Sequence, residues 1–149
     1  MQLTPQFTLE ELTRSDTARD RKIDNTPTAA AVDNLCRLAP VLEQVRVMLG
    51  SKPIRITSGY RNQVVNRAVG GVPNSDHLTG RAADFQCSGF GAPRDIARAI
   101  AASGLPFDQI INEYDRWEHI SVPAEGATPR RQALTARKVG VKTTYTAGV

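Results

Sequence analysis

Two histidines and one aspartate are the residues best placed to do chemistry. His77 and Asp84 lie seven positions apart in Ser75-Asp76-His77-Leu78-Thr79-Gly80-Arg81-Ala82-Ala83-Asp84, and His119, the only other histidine, follows 35 residues after Asp84. Imidazole and carboxylate are donors that suit zinc. Three protein ligands leave a fourth position open for water, which is the pattern of a catalytic zinc rather than a structural one. Gly80 lets the chain turn back between His77 and Asp84, and the small Ala82 and Ala83 leave room beside an ion. The expectation is one zinc ion per chain, bound by His77, Asp84 and His119.

A zinc hydrolase also needs a base for the proton of the attacking water. Glu113, Asp115 and Glu118 lie close to His119 in sequence. Side chains alternate faces along a strand, so Glu118 points away from His119. If Tyr114-Asp115-Arg116 is the whole loop of a hairpin, Glu113 pairs with Trp117 and residue 111 pairs with His119. Glu113 then lies diagonally from His119 on the same face, roughly 7–8 Å away. A two-residue loop would turn Glu113 to the far face and make Asp115 the better base, so both remain candidates. Arg61, after the strand-ending Ser58-Gly59-Tyr60, can hold a substrate carboxylate or steady a developing oxyanion. Ser75 is a candidate substrate contact or a loop cap, and Trp117, on the face of His119, is a candidate substrate contact.

Several elements must position these groups. Thr8 with Glu11 forms a capping box, and Phe7 with Leu12 a staple across it, so a helix starts there. Ser15 to Pro27 is a polar surface connection with room for one short helical turn. Val32, Leu35, Leu38, Leu42, Val45 and Leu49 recur at spacings of three and four and predict a helix over 28–49, kinked or split at Pro40. Residues 52–58 alternate as a strand, and a short helix follows over 63–68. Residues 69–74 are a loop, 81–87 a second strand with Ala82, Asp84 and Gln86 on one face, and 92–103 a helix. Residues 107–113 and 117–122 form an antiparallel hairpin, and a last strand runs over 133–139. This order predicts an α+β fold with a mainly antiparallel sheet and helices packed on one side.

Composition restricts the function classes. The chain has 149 residues, 40% hydrophobic and 23% charged, as expected for one globular domain over 1–149 acting as a monomer. Cys36 and Cys87 are too few for a disulfide framework and read as small buried hydrophobes. No signal peptide and no membrane span are visible, so the chain is expected to be made as a soluble cytoplasmic protein. The net charge of +4 is concentrated after Glu125, where Arg130, Arg131, Arg137, Lys138 and Lys142 meet no acidic residue. That segment, 126–149, suits an anionic cell-wall polymer or the guarded edge of a sheet. No aromatic residues interleave with its basic ones as single-strand binding would require, so no nucleic-acid partner is expected.

Ser-x-His-x-x-Gly-x-Ala-x-Asp, here Ser75 to Asp84, resembles the signature of the M15 zinc peptidases. These are the D-alanyl-D-alanine carboxypeptidases and dipeptidases and the L-alanyl-D-glutamate endopeptidases of bacteria and phages. Ser58-Gly59-Tyr60-Arg61 and Trp117-Glu118-His119-Ile120-Ser121 are similar to the family too. The opening, Phe7 to Leu12 through Asp24-Asn25-Thr26-Pro27, is similar to its short phage-type branch. The resemblance covers residues 5–125. It implies a fold of the hedgehog and D-Ala-D-Ala peptidase type and zinc held by His77, Asp84 and His119. It also implies that Arg61 polarises the substrate carbonyl, that Ser75 contacts substrate, and that the substrate is the peptide stem of peptidoglycan. Many relatives carry the acidic base three residues before the last histidine, where this chain has Arg116. The expected function is a zinc peptidoglycan peptidase, a carboxypeptidase or L-Ala-D-Glu endopeptidase, working as a phage or prophage endolysin that reaches the wall after release. The alternative is a zinc-retaining, non-catalytic binding module of the same fold, as in hedgehog signalling domains.

Overall fold

The helical spacing centred on residues 32–49 is realised as one long helix, α3 (Ala29–Met48), in a computed structural model that describes residues 1–149. Thr28 caps it, accepting the Ala31 N–H at 3.1 Å. The helix is not split at Pro40. That residue is exposed, while Leu35, Leu38, Val41, Leu42 and Val45 are buried on either side of it. Keeping both halves of one apolar face on the sheet offsets the roughly 3 kcal/mol an interior proline costs. Cys36 corrects the expectation that both cysteines are buried. One residue on from Leu35, it turns about 100° off the apolar face and is exposed, whereas Cys87 is buried.

Four shorter helices accompany α3: α1 (Leu9–Thr13), α2 (Asp16–Arg21), α4 (Gln63–Ala68) and α5 (Pro93–Ala101). The capping box at the start of α1 is present in its first half, with Thr8 accepting the Glu11 N–H at 3.1 Å. The strands are β1 (Arg55–Ser58), β2 (Ala82–Gln86), β3 (Gln109–Glu113), β4 (Trp117–Ser121), β5 (Gln132–Val139) and β6 (Lys142–Ala147). They form one sheet in the order β1-β2-β4-β3-β5-β6. All neighbours are antiparallel except β3 and β5. Strand β6 has no counterpart in the expected elements. Its Lys142-Thr143-Thr144-Tyr145-Thr146 lacks apolar alternation, and pairing with β5 creates it as an edge strand.

The sheet has two unlike faces. Ala83, Phe85, Ile110 and Ile120 join Leu35, Leu38, Leu42, Ile96 and Ile100 in the hydrophobic core beneath the helices. The alternate positions, Asp84, Glu113, Trp117 and His119 among them, line the opposite face. All the helix-packed hydrophobes are therefore on one side and the candidate chemistry is on the other.

Candidate metal centre

His77 is held from several directions. It lies in a 3₁₀ turn, Asp76–Thr79, whose first N–H groups are capped by Ser75; the Ser75 Oγ accepts the His77 N–H at 3.2 Å. Gly80 ends the turn in the left-handed region, φ 74°, and a Cβ there would meet the Ala31 carbonyl oxygen at 2.5 Å, so only glycine fits. The Arg61 N–H donates to the His77 carbonyl at 3.1 Å. The His77 Nδ1–H donates to the Gly59 carbonyl at 2.7 Å. Gly59 itself is pressed against α1: the Tyr60 N–H donates to the Leu12 carbonyl at 2.7 Å, and a Cβ on Gly59 would lie 2.1 Å from that oxygen.

Asp84 and His119 meet for a different reason. They are directly opposed residues of the β2–β4 pair, so their side chains leave the same face together. The His119 Nδ1 is 2.9 Å from Asp84 Oδ1, and the His77 Nε2 is 3.1 Å from the same oxygen. The two imidazoles meet edge to face with centroids 5.0 Å apart. One donor atom from each of the three residues lies within 4.8 Å of the others.

This donor set fits a metal ion. The Gly59 carbonyl can only accept, so His77 carries its proton on Nδ1 and, when neutral, turns an Nε2 lone pair toward a carboxylate oxygen. Burial pushes the His77 pKa down against the pull of Asp84, which favours that neutral form. Asp84 is held well below the usual carboxylate range, because the charges and hydrogen bonds of the two histidines outweigh its burial. For His119, burial acts downward, but the hydrogen bond and charge of Asp84, with Glu113 adding, raise it. Two lone pairs facing each other in a buried site call for a cation between them.

The remaining candidates fall into two groups. The hairpin has the three-residue loop, with Glu113 opposite Trp117 and Ile111 opposite His119. Tyr114 and Asp115 make the turn in the left-handed region, φ 59° and 55°. Glu113 is thereby on the face of His119. Burial and the charge of Asp84 raise its pKa to about 6, opposed by His119 and Arg61. Burial lowers the Arg61 pKa, with Asp84 and Glu113 opposing, and its Nε has no protein partner. Arg61 and Glu113 therefore share the electrostatic field of the three ligands.

Asp115 is not brought there. Its Oδ1 accepts from Asn112 Nδ2 at 2.8 Å and its Oδ2 pairs with Arg137 at 3.3 Å, on the face away from Glu113. These bonds lower its pKa, which makes it a weak base. Trp117 stacks edge to face with Tyr114, centroids 5.4 Å apart, and both line a cleft of about 480 Å³ with Arg116, Arg137 and Lys138. Sequence reasoning missed Asn25. Its side chain donates to the Thr13 and Tyr60 carbonyls at 3.0 and 3.1 Å and accepts the Asn62 N–H at 2.9 Å, fixing the segment that carries Gly59 and Arg61. An asparagine in a polar connection has no periodicity that would reveal this.

The profile of the peptidase M15 family matches residues 5–121. The zinc D-Ala-D-Ala carboxypeptidase of Streptomyces albus G is 35% identical over 107 residues. The match takes in 70% of this chain and 39% of that protein's length.

Proposed function

The chain belongs to the peptidase M15 family, and on that premise we propose that it is a zinc-dependent hydrolase of the peptide stem of peptidoglycan. One observation carries this: the His77 and His119 nitrogens converge on Asp84 Oδ1 with the His77 tautomer fixed by Gly59. Zinc bound by these three side chains supplies Lewis acidity, which makes water a nucleophile near neutral pH. Glu113 Oε, on the face of His119, would accept a proton from the attacking water and return it to the leaving amine. Arg61 donates to the carbonyl oxygen as charge develops on it, and its burial strengthens that interaction. Trp117 walls the site, and the Ser75 hydroxyl hydrogen, not needed for its cap, is free to donate to the peptide.

The opening of the chain, from Phe7 to Pro27, supports placing it with the endolysins of phage or prophage origin. The basic C-terminal segment contributes less to wall binding than its charge suggests. Arg130 is paired with Asp108 at 2.8 Å, Arg131 donates to the carbonyls of Ser103 and Leu105, and Arg137 is paired with Asp115. Affinity for anionic cell-wall polymer rests on Lys138, near the end of β5, and Lys142, on the edge strand β6. No helix is long and apolar enough to cross a membrane.

The test is digestion of peptidoglycan and of defined stem peptides by the zinc-loaded and the chelated protein, with products read by mass spectrometry. Cleavage that needs zinc supports the proposal, and the product masses give the bond. Zinc binding without turnover in either wild type or Glu113→Ala would favour the binding-module reading instead.

A further inference from the structure

We propose that Tyr145, on the edge strand β6, is a substrate-positioning residue of this site: its phenol walls the face of the sheet that carries His119 and Glu113, on the side opposite Arg61, and contacts the bound peptide. The inference rests on the hydrolase reading above. It concerns a strand that lies outside residues 5–121, the part that matches the family.

The register places Tyr145 there. Glu113 pairs with Trp117 on β4 and with Ala136 on β5, and Ala136 pairs with Tyr145 on β6. Trp117, Glu113, Ala136 and Tyr145 therefore form one row across four adjacent strands, on the face of His119. Ala136 is 0% exposed although it is on the face that the helices leave open. Larger neighbours on this face cover its methyl group, and Tyr145 is the residue directly opposite it on β6. Tyr145 itself stays 49% exposed, so about half of its side chain is open to a ligand on this face.

Two further observations agree. The Tyr114 and Thr143 hydroxyls are 2.7 Å apart, which ties this same face of β6 to the hairpin turn beside Glu113. Burial raises the Tyr145 phenol, and the charges of Glu113, Tyr114 and Asp84 add to the rise, so the hydroxyl lies within the field of the site.

The chemistry suits a peptide of small residues. A phenol donates to a backbone carbonyl or accepts from an amide N–H, and its ring offers a flat apolar wall to alanyl methyl groups. It carries no charge at neutral pH and so leaves the proton transfer at Glu113 undisturbed. Arg61, reaching in from the β1 side, and Tyr145, from the β6 side, bracket the peptide across the sheet.

The experiment compares wild type, Tyr145→Phe, Tyr145→Ala and, on the other face of β6, Thr144→Ala, all zinc-loaded. It measures kcat and KM on a defined stem peptide, zinc content, melting temperature, and Kd for the same peptide in a Glu113→Ala background. Tyr145→Ala is expected to raise KM and Kd about tenfold, with little change in kcat, zinc content or melting temperature. Tyr145→Phe should show about threefold, the share of the hydroxyl, and Thr144→Ala none. If wild type cleaves and Tyr145→Ala matches it in KM and Kd, or loses activity only by losing zinc, the proposal is overturned and the hydrolase reading stands. If zinc-loaded wild type neither binds nor cuts the stem peptide, the hydrolase reading fails and this inference fails with it.

Discussion

The Gly59 carbonyl accepts the Nδ1–H of His77 at 2.7 Å while the other side of Gly59 abuts the Leu12 carbonyl oxygen. A backbone group packed against the first helix thus sets the tautomer of a metal ligand. Glycine is required because a Cβ would sit 2.1 Å from an oxygen that belongs to backbone and cannot swing aside. Gly59→Ala is expected to cost roughly 3 kcal/mol of stability, the upper range for overpacking. It should also weaken zinc binding about 10- to 100-fold through loss of the Nδ1–H partner. Urea unfolding and a competitive zinc titration measure the two effects, and an unchanged zinc affinity would show that the Gly59 carbonyl does not orient His77.

The three ligands come from three separate elements, the 3₁₀ turn, β2 and β4, so an ion bound by them cross-links the fold. Zinc at a hundredfold excess over its Kd should stabilise the protein by about 2.7 kcal/mol, and chelation should remove that gain. Asp84→Asn removes the anionic oxygen on which both histidine nitrogens converge, and the melting temperature should no longer respond to zinc. Calorimetry with and without chelator reads this directly. A zinc-dependent rise that survives in Asp84→Asn would mean the ion binds elsewhere.

The ligands were legible because their types are rare in this chain and their chemistry is demanding. Two histidines and an aspartate behind a glycine leave few other roles. The register that places Glu113 with His119 was legible only conditionally, since it depends on Tyr114 and Asp115 both adopting left-handed backbone, which nothing about a tyrosine announces. Asp115 separated from Glu113 only when Asn112 and Arg137 were seen to hold it on the other face. Asn25 and strand β6 were not legible at all. Asn25 depends on Thr13 and Tyr60, both distant in sequence, whereas β6 folds back on β5 across Gly140 and Val141 alone but lacks the apolar alternation that would announce a strand. Pro40 misled because propensity describes the helix alone, and the sheet beneath it decides.

Glu113 must be ionised to take a proton, so its pKa shapes the acid side of the rate profile. Burial and Asp84 raise it to about 6. A dication bound next to it favours the carboxylate and moves that value down. The acidic limb of kcat/KM should therefore fall with a slope of one as pH drops through a midpoint at or below about 6. Glu113→Gln should lower kcat about 10²- to 10⁴-fold, abolish that limb and leave zinc content unchanged. A pH-rate series on wild type and variant, with metal analysis, checks all three. An intact acidic limb in Glu113→Gln would assign the base elsewhere.

Glu118 lies next to His119 but on the core face, between Asn112 and Phe85 in the register, 0% exposed and with no partner for either carboxylate oxygen. Burial, with the charge of Asp115 adding, lifts its pKa from an ordinary 4.5 to about 8. The folded chain thus holds this proton more tightly than the unfolded chain. Its contribution to stability is fully present below pH 4.5 and is lost as pH rises toward 8, by on the order of 4 kcal/mol in all. Glu118→Gln keeps the shape of the neutral acid and removes the titration. It should match wild type near pH 4.5, be clearly more stable at pH 8, and leave the zinc ligands in place. Denaturant unfolding at both pH values decides the matter: equal stability of the two proteins at pH 8 would show that the buried carboxyl has found a partner or water that keeps its charge.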